Sequence, residues 1–396
     1  MTISSGNNIL VMQSGGCTPV INRSLYGVVQ EAFASKAFER IYGAMYGMEG
    51  ILDEKLADLR AVDSDEWERI ANTPAAALGS TRRKLRTEDV PVIIDVLKRN
   101  GIGYWFIIGG NDSAETGHMV GEAAKEAGYP LTVINVPKTI DNDLVLMDHS
   151  PGYGSAARFI ALATMGAGRD AEAMGLAAPV TIIEVMGRDA GWLAASAAAA
   201  KQEERDAPHI IGLPEVPMDE TRFLDRIEQA YTKYGFAVAV MAENTRGSDG
   251  IIGGDSEPWY VDDFGHAYFD GPGRYLAGQV SKRLKVRARY EKPGTIQRSM
   301  MACVSESDAS EAEEAGREAI RRATAGESGI IITLERAPGP EYFCNTGTAP
   351  LAEVGGKVKT MPPEYLDTAN DFVTESFLEY LRPLLGSPLP AYGRVR

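Results

Sequence analysis

The chain has 396 residues, more than one hydrophobic core usually organises, so two α/β lobes forming one catalytic unit are expected. Its 44% hydrophobic and 24% charged residues are the balance of a folded globular protein and exclude a disordered one. A formal charge of −15 excludes nucleic acid and anionic membrane as partners, since either needs a basic face, and any positive charge the protein uses must be gathered locally.

In chain order, the N-terminal MTISSGNNILVMQSGG lacks a basic leader, and no window approaches the roughly 18 consecutive apolar residues of a membrane span, so a cytoplasmic protein is expected. Asn8 to Met12 reads as a short buried strand, punctuated by Ser14-Gly15-Gly16 before an apolar-periodic helix from about Val20 to Ala34. The same strand, glycine turn and helix recur at Tyr104 to Ile108, Gly109-Gly110-Asn111-Asp112 and Ser113 to about Ala127, with Ser113 as the expected N-cap. Leu131 to Val136 is a third buried strand, leading into Pro137-Lys138-Thr139-Ile140-Asp141-Asn142-Asp143. Such succession predicts a parallel sheet with right-handed crossovers.

A lobe boundary is expected near residue 150. Beyond it, Gly152-Tyr153-Gly154-Ser155 opens a long helix to about Gly168, and Val180 to Val185 is a buried strand ending in Met186-Gly187-Arg188. An alanine-rich helix to about Glu203 follows, then strands at Ile210 to Leu213 and Phe236 to Met241. The Gly- and Asp-rich stretch Asn244 to Gly273 reads as a loop insertion. Helices at Tyr275 to Leu284 and Ser307 to Ala325, a strand at Gly329 to Leu334 and a polar C-terminal extension complete the chain.

Two polar loops at the ends of adjacent apolar runs are the most telling pattern. A ligand lying across both would sit at the carboxyl edge of a parallel sheet. Glycine pairs such as Gly15-Gly16 and Gly109-Gly110 let backbone N–H groups approach an anion, although most glycine turns are only tight turns. Neither pair fits GxGxxG or GxxxxGK[ST], which argues against a dinucleotide enzyme and a P-loop NTPase. Asp141 and Asp143, two residues apart, are an Asx-rich turn or a catalytic pair in which one carboxylate accepts a proton and the other orients the site. Lys138 favours the second reading, because its ammonium both steadies carboxylates and neutralises phosphate. Arg82 in Gly79-Ser80-Thr81-Arg82 and Arg188 follow loop glycines and are candidates for bidentate phosphate contacts. Arg289 and Arg298, with Gln297, form a further basic group. The cysteines, Cys17, Cys303 and Cys344, are odd in number and unrelated in spacing, which fits ordinary thiols and argues against a disulfide framework or zinc site. His118, His149, His209 and His266 show no metal-ligand spacing, and Trp105 and Trp192 read as core.

Together these residues resemble the phosphofructokinase family, specifically its pyrophosphate-dependent branch, from Gly15 through Arg298: SGG at 14–16, GSTR at 79–82, GGNDS at 109–113, PKTIDND at 137–143 and MGR at 186–188. The resemblance implies two three-layer α/β lobes with mainly parallel sheets and an active site in the cleft between them. It implies residues 1–150 plus about 298–365 as the donor lobe, 151–297 as the acceptor lobe and 366–396 as a C-terminal extension. ATP-using members carry glycine in place of Asp112 and of Lys138. A carboxylate at 112 would repel a nucleotide's α-phosphate, while Lys138 would hold pyrophosphate, which lacks a nucleoside anchor.

By the same resemblance the acceptor is fructose 6-phosphate, and Asp141 is the base that takes the proton from its 1-hydroxyl. Lys138, Thr139, Asp143 and Arg188 complete the catalytic set. Gly15, Gly16, Arg82, Gly110, Asn111, Asp112 and Ser113 line the donor site. Thr139, Asp141, Met186, Gly187, Arg188, Glu243, Arg289 and Arg298 line the acceptor site. Mg²⁺ bound to pyrophosphate is implied, with Asn111 and Asp112 as protein ligands, and a homodimer or homotetramer is expected.

The chain departs from the family pattern at several positions. Asn111 replaces a metal-associated aspartate, and Pro179 replaces an arginine that reaches the neighbouring subunit's sugar phosphate. Thr295 replaces a histidine and Ser299 a glycine. These changes leave room for a different acceptor, such as the seven-carbon sedoheptulose 7-phosphate. The rival readings are an ATP-dependent phosphofructokinase and a non-catalytic sugar-phosphate sensor, the latter favoured by Asn111 alone.

Overall fold

The computed structural model describes residues 6–248, 250–254, 257–258, 260–262, 265, 267–268 and 271–395. His266 and parts of the 244–273 loop lie outside the described residues. The first elements are β1 (Asn8–Gln13), α1 (Ile21–Ala34), β2 (Ile41–Ala44), α2 (Met48–Leu52), β3 (Leu56–Asp58), α3 (Ser64–Ala71) and α4 (Asp89–Arg99). Then come β4 (Ile102–Gly109), α5 (Asn111–Glu126), β5 (Thr132–Pro137), α6 (Tyr153–Ala173), β6 (Val180–Val185), α7 (Trp192–Ser196), β7 (Ile210–Gly212), α8 (Glu220–Tyr234) and β8 (Ala237–Ala242).

Within the 244–273 stretch lie four two-residue strands, β9 (Arg246–Gly247), β10 (Gly250–Ile251), β11 (Tyr260–Val261) and β12 (Ala267–Tyr268). They are followed by α9 (Pro272–Leu284), β13 (Ala288–Glu291), α10 (Glu306–Thr324), β14 (Ile330–Arg336), β15 (Cys344–Pro350), α11 (Leu351–Val354), β16 (Leu366–Asp367), β17 (Phe372–Val373) and α12 (Glu375–Leu381). No helix among the described residues is long and apolar enough to cross a membrane.

The chain divides into two compact units, one comprising Met1–Gly152, Asp262–His266 and Asp308–Val358, the other Tyr153–Val261, Ala267–Ser307 and Lys359–Arg396. Unit 1 holds a seven-stranded sheet in the order β15-β14-β5-β4-β1-β2-β3, parallel except at its two edge strands β15 and β3. Its central strands are buried on both faces. Ile9, Val11, Phe106 and Ile108 point into one cluster, while Leu10, Met12, Trp105 and Ile107 point into the other. That alternation explains why the strands read as continuous apolar runs: in a sheet covered on both sides, neither face offers water to a polar side chain. Trp105 is fully buried there, as expected.

Unit 2 holds a four-stranded, all-parallel sheet in the order β13-β6-β8-β7. One face packs Val180, Ile182, Ala237 and Met241 against Phe223 and Ile227 of α8 and Leu276 and Val280 of α9. α6 packs against β6 and β8.

Three local expectations change. The alanine-rich helix stops at Ser196, and Ala197–Ala200 tighten into a 3-10 turn, so packing of the buried methyls overrides the helix propensity of the run. The helix after the second glycine turn starts at Asn111 with Gly110 as its cap residue, which places Ser113 inside the first turn rather than at the N-cap. The stretch read as a polar extension carries α12, whose Phe377, Tyr380 and Leu381 fall on one helical face and are buried.

Candidate active site

In unit 1 the strands β1, β4 and β5 are neighbours, run parallel, and each hands on to a polar loop at the same edge. After β1, the Ser14 N–H donates to the Ile108 carbonyl at 2.9 Å and the Gly15 N–H to the Thr81 carbonyl at 2.9 Å, while the Ser80 hydroxyl donates to the Gly15 carbonyl at 2.6 Å. The GSTR segment is thereby laced to the SGG turn. Gly15 has φ +80°, and a Cβ there would come within 3.1 Å of Lys138 Nζ, so the lysine ammonium lies against the glycine turn. Lys138 is only 3% exposed, a burial that an ammonium sustains only with charged or polar partners.

After β4, Gly109 is required for a packing reason: a Cβ there would strike Ser113 Oγ at 2.2 Å. Absence of that side chain lets the first turn of α5 fold back onto its own strand. Asn111, Asp112 and Ser113 form that turn, where backbone N–H groups and the helix dipole favour an anion. Asn111 Oδ1 accepts the Asp112 N–H at 2.9 Å, and Asn111 Nδ2 donates to the Lys357 carbonyl at 3.3 Å. Arg82, also in unit 1, is held by buried Asp262 at 2.6 Å.

After β5, the Asp141 N–H donates to Thr139 Oγ1 at 3.1 Å. Asn142 is fully buried at φ +55°, a left-handed conformation that asparagine tolerates better than most residues, and its Oδ1 accepts the Ser150 N–H at 3.1 Å. This buried turn residue pins the backbone between the two carboxylates. Burial and the neighbouring Asp141 push Asp143 up to about 6, against the opposing pull of the Thr139 hydroxyl and the Lys138 ammonium. A carboxyl raised in this way beside a second carboxylate is an arrangement suited to proton transfer.

In unit 2, Met186, Gly187 and Arg188 follow β6, and Glu243 follows the adjacent β8, its N–H donating to the Val185 carbonyl at 2.9 Å. Gly187, at φ +127°, turns the chain where a Cβ would meet the Ala190 carbonyl at 2.8 Å. The Met186 N–H donates to Gln297 Oε1 at 3.1 Å, which brings the segment carrying Arg298 to the same edge. Arg188 Nη1 is buried and finds no hydrogen-bond partner among the described residues. A buried guanidinium N–H of that kind is costly unless an anion arrives. Burial raises Glu243, with Lys292 and Arg188 opposing.

Arg289 stands apart from this group. It pairs with Thr181 in the β13–β6 register, five residues before Met186 and so roughly 16 Å back along the strand. It is ion-paired with Asp170. Three residues escaped the sequence reading. Asp262 lay in the stretch taken as a loop insertion, and Lys292 was one basic residue among several. Glu184 sits fully buried in an otherwise apolar strand, held by Lys292 at 2.6 Å and by the Gly273 N–H at 2.9 Å. The one carboxylate inside VTIIEV was its available signal.

Comparison with known proteins gives the chain a family. Residues 8–323 match the phosphofructokinase family. The chain is 40% identical over 394 residues to a pyrophosphate--fructose 6-phosphate 1-phosphotransferase of Rhodospirillum rubrum, covering 98% of this chain and 96% of that one. It is 37% identical to the enzyme of the same name from Xanthomonas campestris, covering 98% and 94%. A crystal structure of a pyrophosphate-dependent phosphofructokinase from Nitrosospira multiformis superposes with a TM-score of 0.89 at 33% identity, covering 98% of this chain and 94% of that one. The chain belongs to the phosphofructokinase family, and the relatives just described are members that use pyrophosphate.

Proposed function

We propose that the protein transfers a phosphoryl group from pyrophosphate to the 1-hydroxyl of fructose 6-phosphate, reversibly, giving fructose 1,6-bisphosphate and phosphate. The observation that carries the donor assignment is the buried Lys138 ammonium against the Gly15 turn, with Asp112 in the first turn of α5. A short, highly charged donor suits a lysine there, whereas a nucleotide would bring its α-phosphate towards a carboxylate.

In this reading Asp141 takes the proton from the sugar hydroxyl as that oxygen attacks a pyrophosphate phosphorus. The new O–P bond forms as the bridging P–O bond breaks, and phosphate leaves. The transition state is loose, so positioning and charge neutralisation supply most of the catalysis. Lys138 and the N–H groups of Gly16, Gly110 and Ser113 receive the donor's charge, while Gly15 shapes the turn against which Lys138 lies; Arg82 joins them once its carboxylate partner yields. Thr139 donates to the transferring group, and Asp143 supports the base. Met186, Gly187, Glu243 and Arg298 hold the acceptor, with Arg188 turning its unpartnered N–H to phosphate.

Mg²⁺ fits this donor set in a limited way. Among the described residues, no three carboxylate, histidine or cysteine ligands converge at this edge. That suits a cation held chiefly by phosphate oxygens with one carboxylate. Asn111 has committed its oxygen to the Asp112 N–H, which leaves Asp112 as the better protein ligand. When bound, Mg²⁺ would neutralise pyrophosphate charge.

A homo-oligomer accompanies this reading. Arg289 lies at the opposite end of β6 from Met186, so a contact between Arg289 and an acceptor belongs to a neighbouring copy's site.

The test is a donor and acceptor panel with purified protein and Mg²⁺. Fructose 1,6-bisphosphate should form from pyrophosphate and fructose 6-phosphate, and the back reaction should run from phosphate. Turnover with ATP alone would overturn the donor assignment, and preference for a seven-carbon sugar phosphate would overturn the acceptor.

A further inference from the structure

Within unit 1, the loop after Asp143, helix α10 and the edge strand β15 bring three metal-binding side chains together. His149 is 1% exposed. Its Nδ1 lies 2.8 Å from Asp148 Oδ2, and its Nε2 lies 2.7 Å from Glu311 Oε2. The Tyr342 hydroxyl donates to the other oxygen of Glu311, and Arg336 Nη2 lies 3.2 Å from Asp148 Oδ2. Cys344 completes the group: one donor atom each from His149, Glu311 and Cys344 lie within 4.8 Å of one another.

We propose that His149 Nε2, the Glu311 carboxylate and Cys344 Sγ form a binding site for a borderline-soft divalent cation of the zinc class, separate from the Mg²⁺ that accompanies pyrophosphate. Imidazole, carboxylate and thiolate together select zinc over a hard cation, which takes oxygen ligands. The Asp148 carboxylate on Nδ1 is the outer partner that fixes an imidazole so that its other nitrogen faces a metal.

The charge balance supports the exchange. Without metal, the Asp148 and Glu311 carboxylates face the His149 imidazolium and the Arg336 guanidinium. Each ring nitrogen of His149 faces a carboxylate oxygen, at 2.8 Å and 2.7 Å, the arrangement of an imidazolium that donates from both nitrogens. When the dication enters, the Nε2 proton and the thiol proton leave. Two positive charges replace two others, and the net charge of the pocket is unchanged. The geometric adjustment is small. With metal–nitrogen and metal–oxygen distances near 2.0–2.2 Å, tetrahedral ligation sets Nε2 and the Glu311 oxygen about 3.3 Å apart, an opening of about 0.6 Å from the present contact. Sγ must close to about 3.5 Å from Nε2, and solvent takes the fourth position.

The test uses full-length protein stripped with a chelator and then titrated with Zn²⁺ against a chromophoric competitor in excess Mg²⁺. One equivalent should bind per chain, with release of about two protons at neutral pH. The Co²⁺ form should show a thiolate-to-cobalt charge-transfer band. Cys344→Ser should abolish that band and weaken Zn²⁺ binding by at least tenfold while leaving zinc-free turnover with Mg²⁺ unchanged. Asp148→Asn should weaken binding about 10–100-fold. No stoichiometric uptake at micromolar Zn²⁺ would overturn the proposal. So would uptake and a cobalt spectrum that persist unchanged in Cys344→Ser, since the thiolate would then come from Cys17 or Cys303.

Discussion

The two units present opposite kinds of carboxyl edge. In unit 1 the loops after β1, β4 and β5 are tied to one another by backbone hydrogen bonds, Lys138 is buried, and Arg82 already holds a carboxylate. In unit 2 the loop after β6 carries Arg188, whose buried Nη1 has no partner among the described residues. One edge is internally satisfied before any ligand arrives; the other keeps a donor in reserve. A preorganised charge array suits a small inorganic donor with few groups of its own to order. A reserved guanidinium suits an acceptor whose phosphate is its main handle.

The severest way to break this contrast is Asp141→Ser. Loss of a positioned base should lower turnover by about 10²–10⁴-fold, with the acceptor KM within a few-fold of wild type. Unchanged steady-state turnover would remove Asp141 from the proton transfer. Next, Arg188→Ala should lower kcat/KM for fructose 6-phosphate by about 10–100-fold, the worth of a hydrogen bond to a charged group, with Arg188→Lys recovering only part. An effect confined to the pyrophosphate KM would mean the reserved donor serves the wrong substrate.

The third way sharpens the donor side. Asp112→Gly combined with Lys138→Gly should reduce pyrophosphate kcat/KM by at least tenfold and make ATP-driven turnover measurable. A double variant that loses pyrophosphate activity without gaining any with ATP would detach those two side chains from donor choice. The smallest expected effect concerns Asp143. Its carboxyl is raised to about 6, so the native state holds a proton more tightly than the unfolded chain does. Ionisation therefore costs stability as pH climbs from the ordinary carboxylate range through 6. Asp143→Asn should be more stable than wild type at pH 7, by on the order of 2 kcal/mol, an advantage that shrinks as pH falls towards 4. Denaturant melts at several pH values measure it, and an equal or lower stability at pH 7 would contradict the assignment.

Much of this was legible in the sequence because two-sided burial leaves long apolar runs. The strands at Tyr104 to Ile108 and Val180 to Val185 lie within β4 and β6 for that reason. Residues 35–100 gave no element, yet they hold β2, α2, β3, α3 and α4. Strands of three or four residues carry too few alternations to register, and in α3 only Trp67 and Ala71 are buried.

The site was legible where a motif compresses its chemistry into one loop, as in PKTIDND. It was less so where residues meet only through register. Asp262 against Arg82, or Arg289 opposite Thr181, depends on pairings between distant segments that spacing does not encode. His149 and Cys344 lack any metal-motif spacing for the same reason: the Asp148 N–H donates to the Leu334 carbonyl of β14, and β14 pairs Arg336 with Cys344 of β15.

Four residues after Arg188 stands Trp192, buried among Tyr365, Phe377 and Tyr380, with its indole N–H donated to the Lys359 carbonyl and the Lys359 ammonium 5.1 Å from its ring. An indole in that setting is an optical gauge wired to the loop it follows. Sugar phosphate bound at the guanidinium would shift the field at the ring, and the part of the emission that Trp192→Phe removes, over the background of the other three tryptophans, would follow acceptor arrival in real time.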